Sequence, residues 1–300
     1  MILTLTANPA LDVTYRVEHL QVGSSYRVAP TVAAGGKGIN VARVAARLGH
    51  RVATTGPLGG ANGNRIRRLL QDDAVEQRFV PSAAPTRQTV NITSDGDATI
   101  FNEAGADQPD SLWQTLACQL RDEGAQVVTI CGSFPPHTPA GVLRMLVEAA
   151  KEGGSLVVVD TSGPLLLEAA SAGADLLKPN EAELAAATGA GEVAAGAARL
   201  LQLGAQMVVC SLGAEGVAAF TAHVQVSQPP ATLVHGNPTG AGDSLVASLA
   251  SQMEEAGQLP QSKDELSCWL RKTSALAAAT VAAPTAGAFD PALYQKLLEE

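Results

Sequence analysis

Residues 127–160 read VVTICGSFPPHTPAGVLRMLVEAAKEGGSLVVVD. The runs at both ends, Val127–Cys131 and Leu156–Asp160, are short, apolar and rich in valine, as in buried β-strands, and Pro139–Lys151 between them has the periodicity of a helix. A strand, a helix and a second strand in this order predict a parallel β-α-β unit. Because the short apolar runs Leu176–Lys178 and Met207–Ser211 continue the pattern, we expect an α/β fold with a mostly parallel central sheet.

The N-terminal part of the chain has a second pattern. Apolar and polar residues alternate in much of the segment 12–34, and residues 86–103 contain an Asp95-Gly96 turn signal between two alternating runs. Both segments therefore predict half-exposed strands. We expect one domain over residues 1–300, in which these two segments form a small β-sheet lid.

Periodicity and turn residues define the remaining elements. The other predicted strands are Ile2–Thr6, Val52–Leu58 and a hairpin of Val217–Thr221 with His223–Val226. The other predicted helices are Ile39–Leu48, Asn64–Asp72, Ser111–Glu123, Glu181–Thr188, Val193–Leu203, Ala241–Glu255, Ser262–Ala282 and Pro291–Leu298.

Composition narrows the class of protein. Of the 300 residues, 46% are hydrophobic and 16% are charged, a balance that permits a packed core. The net charge is −9 and no stripe of lysine and arginine occurs, which argues against a nucleic-acid partner. No apolar run reaches membrane-spanning length, and neither the cysteines nor the histidines have metal-ligand spacing. We expect a cytoplasmic protein with reduced thiols and with no membrane or nucleic-acid partner.

The motif Gly240-Ala241-Gly242-Asp243 opens a predicted helix. Glycines permit close approach of a ligand to the backbone, and the unpaired N–H groups of a first helical turn attract an anion. A carboxylate in such a cradle, here that of Asp243, is explained if it acts as a base that removes a proton from a hydroxyl attacking a phosphoryl group. From these residues alone, the alternative is that Asp243 only caps the helix.

Other polar residues recur where predicted strands end, which is where open α/β sheets bind ligands. Gly35-Gly36-Lys37-Gly38, with Asn40 just inside a helix, forms a second backbone cradle that is neither a Walker A loop nor a dinucleotide fingerprint. Arg87 offers a fork of donors that matches a phosphate, and the Asp12 carboxylate can accept bonds from sugar hydroxyls. A plain turn or surface role is the alternative for each of them.

Asn180 and Glu183 are three residues apart at the start of a predicted helix. Oxygen ligands of this kind hold Mg²⁺ through water, whereas the same spacing also forms a capping box, and the two roles are compatible. The glycine-rich segment Ser211–Gly216 permits close approach of a flat ring, and a hairpin turn needs the same glycines.

Several sequence blocks occur together in a fixed order along the chain. In these blocks the chain resembles the ribokinase-like carbohydrate kinases of phosphofructokinase-B type, over essentially its whole length. Its Gly-Gly-Lys-Gly version and its Asn102-Glu103-Ala104-Gly105 block are most similar to the branch of 1-phosphofructokinases and tagatose-6-phosphate kinases. The blocks are Asn8-Pro9-Ala10-Leu11-Asp12, Gly35-Gly36-Lys37-Gly38-Ile39-Asn40-Val41, Thr86-Arg87, Gly132-Ser133, Lys178-Pro179-Asn180-Glu181-Ala182-Glu183-Leu184, Ser211-Leu212-Gly213 and Gly240-Ala241-Gly242-Asp243.

The resemblance implies a three-layer α/β/α core with a lid, and ATP-dependent phosphorylation of a ketohexose phosphate, with conversion of fructose 1-phosphate to fructose 1,6-bisphosphate favoured. It implies that Asp243 is the general base in an anion hole formed by Gly240, Ala241 and Gly242. The substrate-binding residues that it implies are Asp12, Gly35, Gly36, Lys37, Asn40, Arg87 and Ser133, with Lys37 and Arg87 on the phosphate of the sugar. The residues that it implies for ATP and Mg²⁺ are Lys178, Asn180, Glu183, Ser211, Gly213 and Gly216, with Asn180 and Glu183 holding the metal through water.

The resemblance further implies a homodimer formed through the lid. Tagatose 6-phosphate and fructose 6-phosphate remain alternative acceptors, because a furanose ketohexose is nearly symmetric end to end. A sugar-phosphate sensor without turnover is the alternative of another class. The chain departs from many relatives at Asn237-Pro238, which puts a monovalent-cation site in doubt, and at Phe134 and His137, which affect the expected pocket wall.

Overall fold

Helices and strands alternate along the computed structural model of the chain, which describes residues 1–94, 97–232, 234, 240–283 and 285–299. The strands are β1 (Ile2–Thr6), β2 (Ala10–Arg16), β3 (Thr31–Gly35), β4 (Val52–Thr55), β5 (Pro57–Leu58), β6 (Val75–Gln77), β7 (Val80–Pro81), β8 (Arg87–Ser94), β9 (Asp97–Asn102), β10 (Val127–Cys131), β11 (Leu156–Asp160), β12 (Leu176–Leu177), β13 (Met207–Ser211), β14 (Val217–Thr221) and β15 (Gln225–Gln228). The helices are α1 (Lys37–Arg47), α2 (Gly60–Leu69), α3 (Asp110–Asp122), α4 (Val142–Glu152), α5 (Pro164–Ser171), α6 (Glu181–Thr188), α7 (Val193–Leu203), α8 (Ala241–Ala256), α9 (Lys263–Val281) and α10 (Pro291–Glu299).

The apolar strands form a central sheet of nine strands in the order β15-β14-β13-β12-β11-β10-β1-β4-β6. All pairs from β6 to β13 are parallel, and the hairpin of β14 and β15 adds two antiparallel strands at one edge. Parallel strands need helical crossovers, which cover both faces of such a sheet. The predicted, mostly parallel α/β sheet is therefore confirmed.

Two hydrophobic cores lie on the two faces of this sheet. Buried side chains of α3, α4, α5 and α7, such as Trp113 and Leu146, pack on one face. Buried side chains of α1, α8 and α9, such as Val41 and Leu249, pack on the other face. The chain thus has the expected three-layer α/β/α architecture.

A second sheet of four strands has the order β3-β2-β8-β9. The β2 and β8 strands are parallel, and the outer pairs are antiparallel. Its buried side chains Leu11, Val13 and Ala34 pack with Ile66 of α2. Because side chains alternate between the faces of a strand, Asp12 lies on the opposite face.

The structure differs from the predicted elements in several places, including the short strands β6 and β7, which were not predicted. Within residues 12–34 only β2 and β3 are strands, and the intervening segment is largely exposed. The predicted strand Val52–Leu58 is divided at Gly56, where a Cβ atom would lie 2.1 Å from the carbonyl oxygen of Thr6. Helix α5 was not predicted, because its sequence PLLLEAAS begins with a run of apolar residues and shows no amphipathic period.

Among the described residues, no helix is both long enough and apolar enough to cross a membrane.

Candidate active site

Residues at the carboxyl ends of five neighbouring strands of the central sheet come together. Thr6, Cys131, Asp160 and Ser211 end β1, β10, β11 and β13, and Lys178 follows β12 directly. A cavity of about 800 Å³ opens here, walled on its other side by the four-stranded sheet. A cavity of about 420 Å³ adjoins it and shares three of its lining residues, Asn180, Ser211 and Gly242.

These two cavities bring together the site residues predicted from the sequence, except Gly35. Gly35 is buried beside Asp12, and a Cβ atom at Gly35 would lie 2.2 Å from the Asp12 carboxylate. Gly213, Gly216 and Ala241 line only the smaller cavity. The predicted residues that line the larger cavity are Asp12, Gly36, Lys37, Asn40, Arg87, Ser133, Lys178, Asn180, Glu183, Ser211, Gly240, Gly242 and Asp243.

Asp243 lies in the first turn of α8 and is only 7% exposed. Its Oδ2 accepts a 2.8 Å hydrogen bond from Nδ2 of Asn40. The helix is capped by Gly240, with no side-chain capping bond, so the suggestion that Asp243 caps its own helix is wrong. Burial and then the negative charge of Asp160 raise the pKa of Asp243 to about 7, although Asn40 and two lysines oppose the shift.

Gly240 and Gly242 form a backbone cradle at the start of α8. Gly240 has a φ of 92°, and a Cβ atom there would lie 3.1 Å from Cα of Ala286, so both conformation and space favour glycine. The first N–H groups of the helix have no carbonyl partner within it. The Nζ of Lys178 lies 3.6 Å from where a Cβ of Gly242 would be, which adds a positive charge beside the cradle.

Asp160 is a residue of the site to which sequence reasoning assigned no role, although it ends one of the strands expected to border the crevice. It is fully buried, and its Oδ1 lies 3.1 Å from Nζ of Lys37 and 3.6 Å from Nζ of Lys178. Its Oδ2 has no hydrogen-bond partner among the described residues. Burial disfavours the charge of Lys37, but the attraction of Asp160 outweighs it and leaves the pKa of Lys37 raised. The position of Asp160 at the end of a predicted strand was the available signal.

Arg87 is held by the backbone next to Asp12. Its Nε donates to the carbonyl oxygen of Asn8 at 3.1 Å, and its Nη1 donates to that of Glu103 at the same distance. Burial raises the pKa of Asp12 to about 6, while Arg87 and Thr89 oppose the rise. Arg87 therefore supplies a fixed positive charge to the wall that the four-stranded sheet contributes.

Lys37 and Arg87 line the same cavity, as predicted, but Lys37 forms its ion pair with Asp160. The phosphate that both residues are expected to bind therefore competes with a carboxylate for Lys37. Their joint role in phosphate binding stays a prediction.

Asn180 and Glu183 form the capping box of α6. Oδ1 of Asn180 accepts a 2.7 Å bond from the N–H of Glu183, and Oε2 of Glu183 accepts a 2.9 Å bond from the N–H of Asn180. Both residues also line the larger cavity, so the capping role is confirmed and the metal role stays a prediction. Within the described part of the chain, no group of three or more His, Cys, Asp or Glu side chains is placed to hold a metal ion.

The smaller cavity is largely apolar. Val217, Leu245, Ala277 and Val281 are among the residues that line it, together with the turn at Gly213. A flat, weakly polar ring system suits such walls better than a phosphate group does. The cavity thus provides an apolar pocket beside the charged one.

The two unusual residues of the predicted pocket wall have different positions. Phe134 lines the larger cavity and packs on Trp113, with ring centroids 5.7 Å apart. His137 is exposed and is not among the residues that line this cavity. Asn237 and Pro238, which bear on a monovalent-cation site, lie outside the described residues.

The chain is similar to several known proteins. Residues 7–293 match the profile of the pfkB family carbohydrate kinases. The chain is 34% identical over 271 residues to a 1-phosphofructokinase of Bacillus subtilis, covering 87% of both chains. It is 32% identical over 281 residues to a tagatose-6-phosphate kinase of Staphylococcus epidermidis, covering 88% of this chain and 87% of that one.

A solved structure of phosphofructokinase-2 from Escherichia coli, in complex with potassium, superposes with a TM-score of 0.91 at 29% identity, covering 99% of this chain and 98% of that one. Other structures of that enzyme, with TM-scores of 0.88, are a complex with fructose-6-phosphate and a tetrameric inhibited form. With a profile match over nearly its whole length and relatives above 30% identity, the chain belongs to the pfkB family of carbohydrate kinases, which are ATP-dependent sugar phosphotransferases.

Proposed function

We propose that this kinase transfers the γ-phosphoryl group of ATP to the free primary hydroxyl of fructose 1-phosphate, giving fructose 1,6-bisphosphate. The observation that carries the proposal is a buried carboxylate, Asp243, at the start of α8 beside a glycine cradle and Lys178. A base next to a positively charged anion site suits attack by a hydroxyl on a phosphoryl group.

In the proposed reaction Asp243 accepts the proton of the attacking hydroxyl. A pKa of about 7 leaves a substantial fraction of this carboxyl ionised at neutral pH while keeping it basic enough to take a proton. The bond from Asn40 fixes one carboxylate oxygen, so the other is left for the substrate. The Gly240–Gly242 amides and Lys178 face the transferred group and offset its negative charge.

The phosphate already on the sugar is proposed to bind Arg87 and Lys37. Asp12, Gly36 and Ser133, together with Asn40, line the same cavity and are proposed to hold the sugar hydroxyls. The four-stranded sheet is proposed to act as a lid on a single kinase domain. Its closure excludes water, which competes with the sugar for the phosphoryl group.

ATP is proposed to place its base in the apolar cavity of about 420 Å³ and its phosphates toward Lys178. The donor set fits a hydrated Mg²⁺ ion, because the capping box uses only Oε2 of Glu183 and Oδ2 of Asp160 has no partner among the described residues. Asn180 and Glu183 would hold the ion through water, and the ion would neutralise charge on the phosphates.

Two other acceptors are supported by the relatives. One relative is named as a tagatose-6-phosphate kinase, and a similar enzyme was solved with fructose-6-phosphate. A sensor that lacks turnover is less well supported, because this chain has both an acid and a glycine cradle at the expected place. The 34% identity to a 1-phosphofructokinase favours fructose 1-phosphate.

A coupled assay that detects ADP tests the acceptor. Fructose 1-phosphate, tagatose 6-phosphate, fructose 6-phosphate and unphosphorylated fructose are compared at matched concentrations of ATP and Mg²⁺. We expect the highest kcat/KM with fructose 1-phosphate. A higher value with another ketohexose phosphate would reassign the acceptor, and absence of turnover with all of them would favour the sensor.

We also propose that two copies pair through the four-stranded sheet. Ile100 and Phe101 on its outer strand β9 are 49% and 59% exposed, and Val22 in the adjoining loop is 98% exposed. Sedimentation of the wild-type protein is expected to give a dimer. Phe101→Ser is expected to weaken that dimer. Leu203→Ser, which changes an exposed apolar residue on α7, is expected to leave it intact. A wild-type monomer would contradict this pairing.

A further inference from the structure

A third cavity lies at the far ends of the two helices that start in the active site. It has a volume of about 250 Å³ and is lined by the last turn of α1, the second half of α8, and parts of α9 and α10. Helix α1 runs from Lys37 to Arg47, and α8 runs from Ala241 to Ala256. At 1.5 Å per residue, the lining residues lie roughly 15 Å from the start of α1 and roughly 10–20 Å from the start of α8.

Two positively charged side chains at this cavity have no acidic partner among the residues that the structure describes. Arg47 and Lys272 line it, and in the described part of the chain neither has a carboxylate within ion-pair distance. Among the described residues that line the cavity, the one carboxylate is that of Glu255, which lies 3.6 Å from Nε2 of His50. Two unpaired cations from different helices at one cavity favour an anionic ligand.

Two residues that line the cavity, Ser251 and Gln252, have buried polar atoms with no hydrogen-bond partner among the described residues. Ser251 and Gln252 are only 4% and 6% exposed, and within the described structure Oγ of Ser251 and Oε1 of Gln252 form no hydrogen bond. Nε2 of Gln252 donates to groups of α8 and α9, including the carbonyl oxygen of Trp269 at 3.3 Å, which fixes the orientation of the amide. An unpaired buried acceptor is costly, and a ligand hydroxyl removes that cost.

We propose that this cavity binds a small polyol phosphate, with the phosphate at Arg47 and Lys272 and the hydroxyls toward Ser251 and Gln252. A volume of about 250 Å³ is below the roughly 300–1,000 Å³ of most ligand pockets, which favours a small ligand over a nucleotide. The bound ligand contacts both helices that carry candidate catalytic groups. This site is separate from the one proposed for the sugar substrate.

Isothermal titration calorimetry with inorganic phosphate and with glycerol 3-phosphate tests the site. Lys272→Ala and Arg47→Ala are each expected to weaken binding of glycerol 3-phosphate by about tenfold or more. Arg271→Ala is the matched control, because Arg271 is an exposed neighbour of Lys272 that does not line the cavity. All three variants are expected to keep the kcat/KM of the kinase reaction measured without added polyol phosphate, which distinguishes this site from the active site.

A second variant tests the cavity by filling it. Gln295→Trp places a bulky ring at an exposed position of the rim, and is expected to abolish binding without lowering the melting temperature. The proposal is overturned if the wild-type protein binds neither probe, or if Lys272→Ala and Gln295→Trp bind like Arg271→Ala. Binding of glycerol 3-phosphate no tighter than that of inorganic phosphate overturns the polyol assignment.

Discussion

Asn40 of α1 donates a 2.8 Å hydrogen bond to Asp243 of α8, a residue 203 positions further along the chain. The bond orients the buried carboxylate and favours its ionised form, whereas burial and Asp160 favour the protonated form. The ionisation of Asp243 is therefore set by neighbours that can each be changed separately.

Asp243→Asn tests the base. The amide keeps the shape of the side chain but cannot accept the proton of the hydroxyl, so kcat is expected to fall by about two to four orders of magnitude. Binding of the sugar phosphate and of ATP, measured by calorimetry, is expected to stay within a fewfold of wild type. A variant with near-wild-type turnover would remove Asp243 from the role of base.

Asn40→Ala tests the bond to Asp243. Loss of this donor removes an interaction that lowers the pKa of Asp243, so the pKa rises further above about 7. Because the ionised form is the active base, the acidic limb of the kcat/KM profile is expected to move to higher pH. Asn64→Ala, at an exposed position of α2, serves as the control and leaves the limb in place. An unchanged limb in Asn40→Ala would contradict the assignment.

Asp160→Asn is expected to move the same limb in the opposite direction. Its negative charge raises the pKa of Asp243, so its removal lowers that pKa. The variant also loses the attraction of Asp160 for Lys37 and Lys178, and the KM values for both substrates are expected to change. Asp122→Asn, at an exposed site, is the matched control. Movement of the limb to higher pH would refute this electrostatic coupling.

Arg87→Ala tests the proposed phosphate site on the four-stranded sheet. Loss of a charged donor is expected to raise the KM for the sugar phosphate by about tenfold or more, with a much smaller effect on the KM for ATP. Arg16→Ala, at the exposed end of β2 in the same sheet, is expected to change neither value. An equal rise in both KM values would exclude Arg87 from this site.

Local patterns predicted the strands that carry the site. Short apolar runs rich in valine predicted β10, β11 and β13 at their observed bounds. Contacts between distant segments could not be read from such patterns. The break at Gly56 depends on the approach of Thr6, and Asp160 acquires its role from Lys37, which is 123 residues away. Likewise, the hydrogen bond from Asn40 to Asp243 joins distant segments, so no local pattern shows it.

The raised pKa of Asp243 also predicts how stability depends on pH. In the unfolded chain this pKa is near the usual 3.8, and in the folded protein it is about 7, so the folded state binds the proton more tightly. The resulting stabilisation is complete below the unfolded pKa and is lost as the pH rises through about 7. Asp243→Asn carries no charge at this site, so it does not lose stability in this way. Between about pH 5 and about pH 8, its melting temperature is therefore expected to rise relative to that of the wild type. Asp122→Asn is expected to show no such change, and a difference that stays constant or reverses would mean that Asp243 is not buried in its charged form.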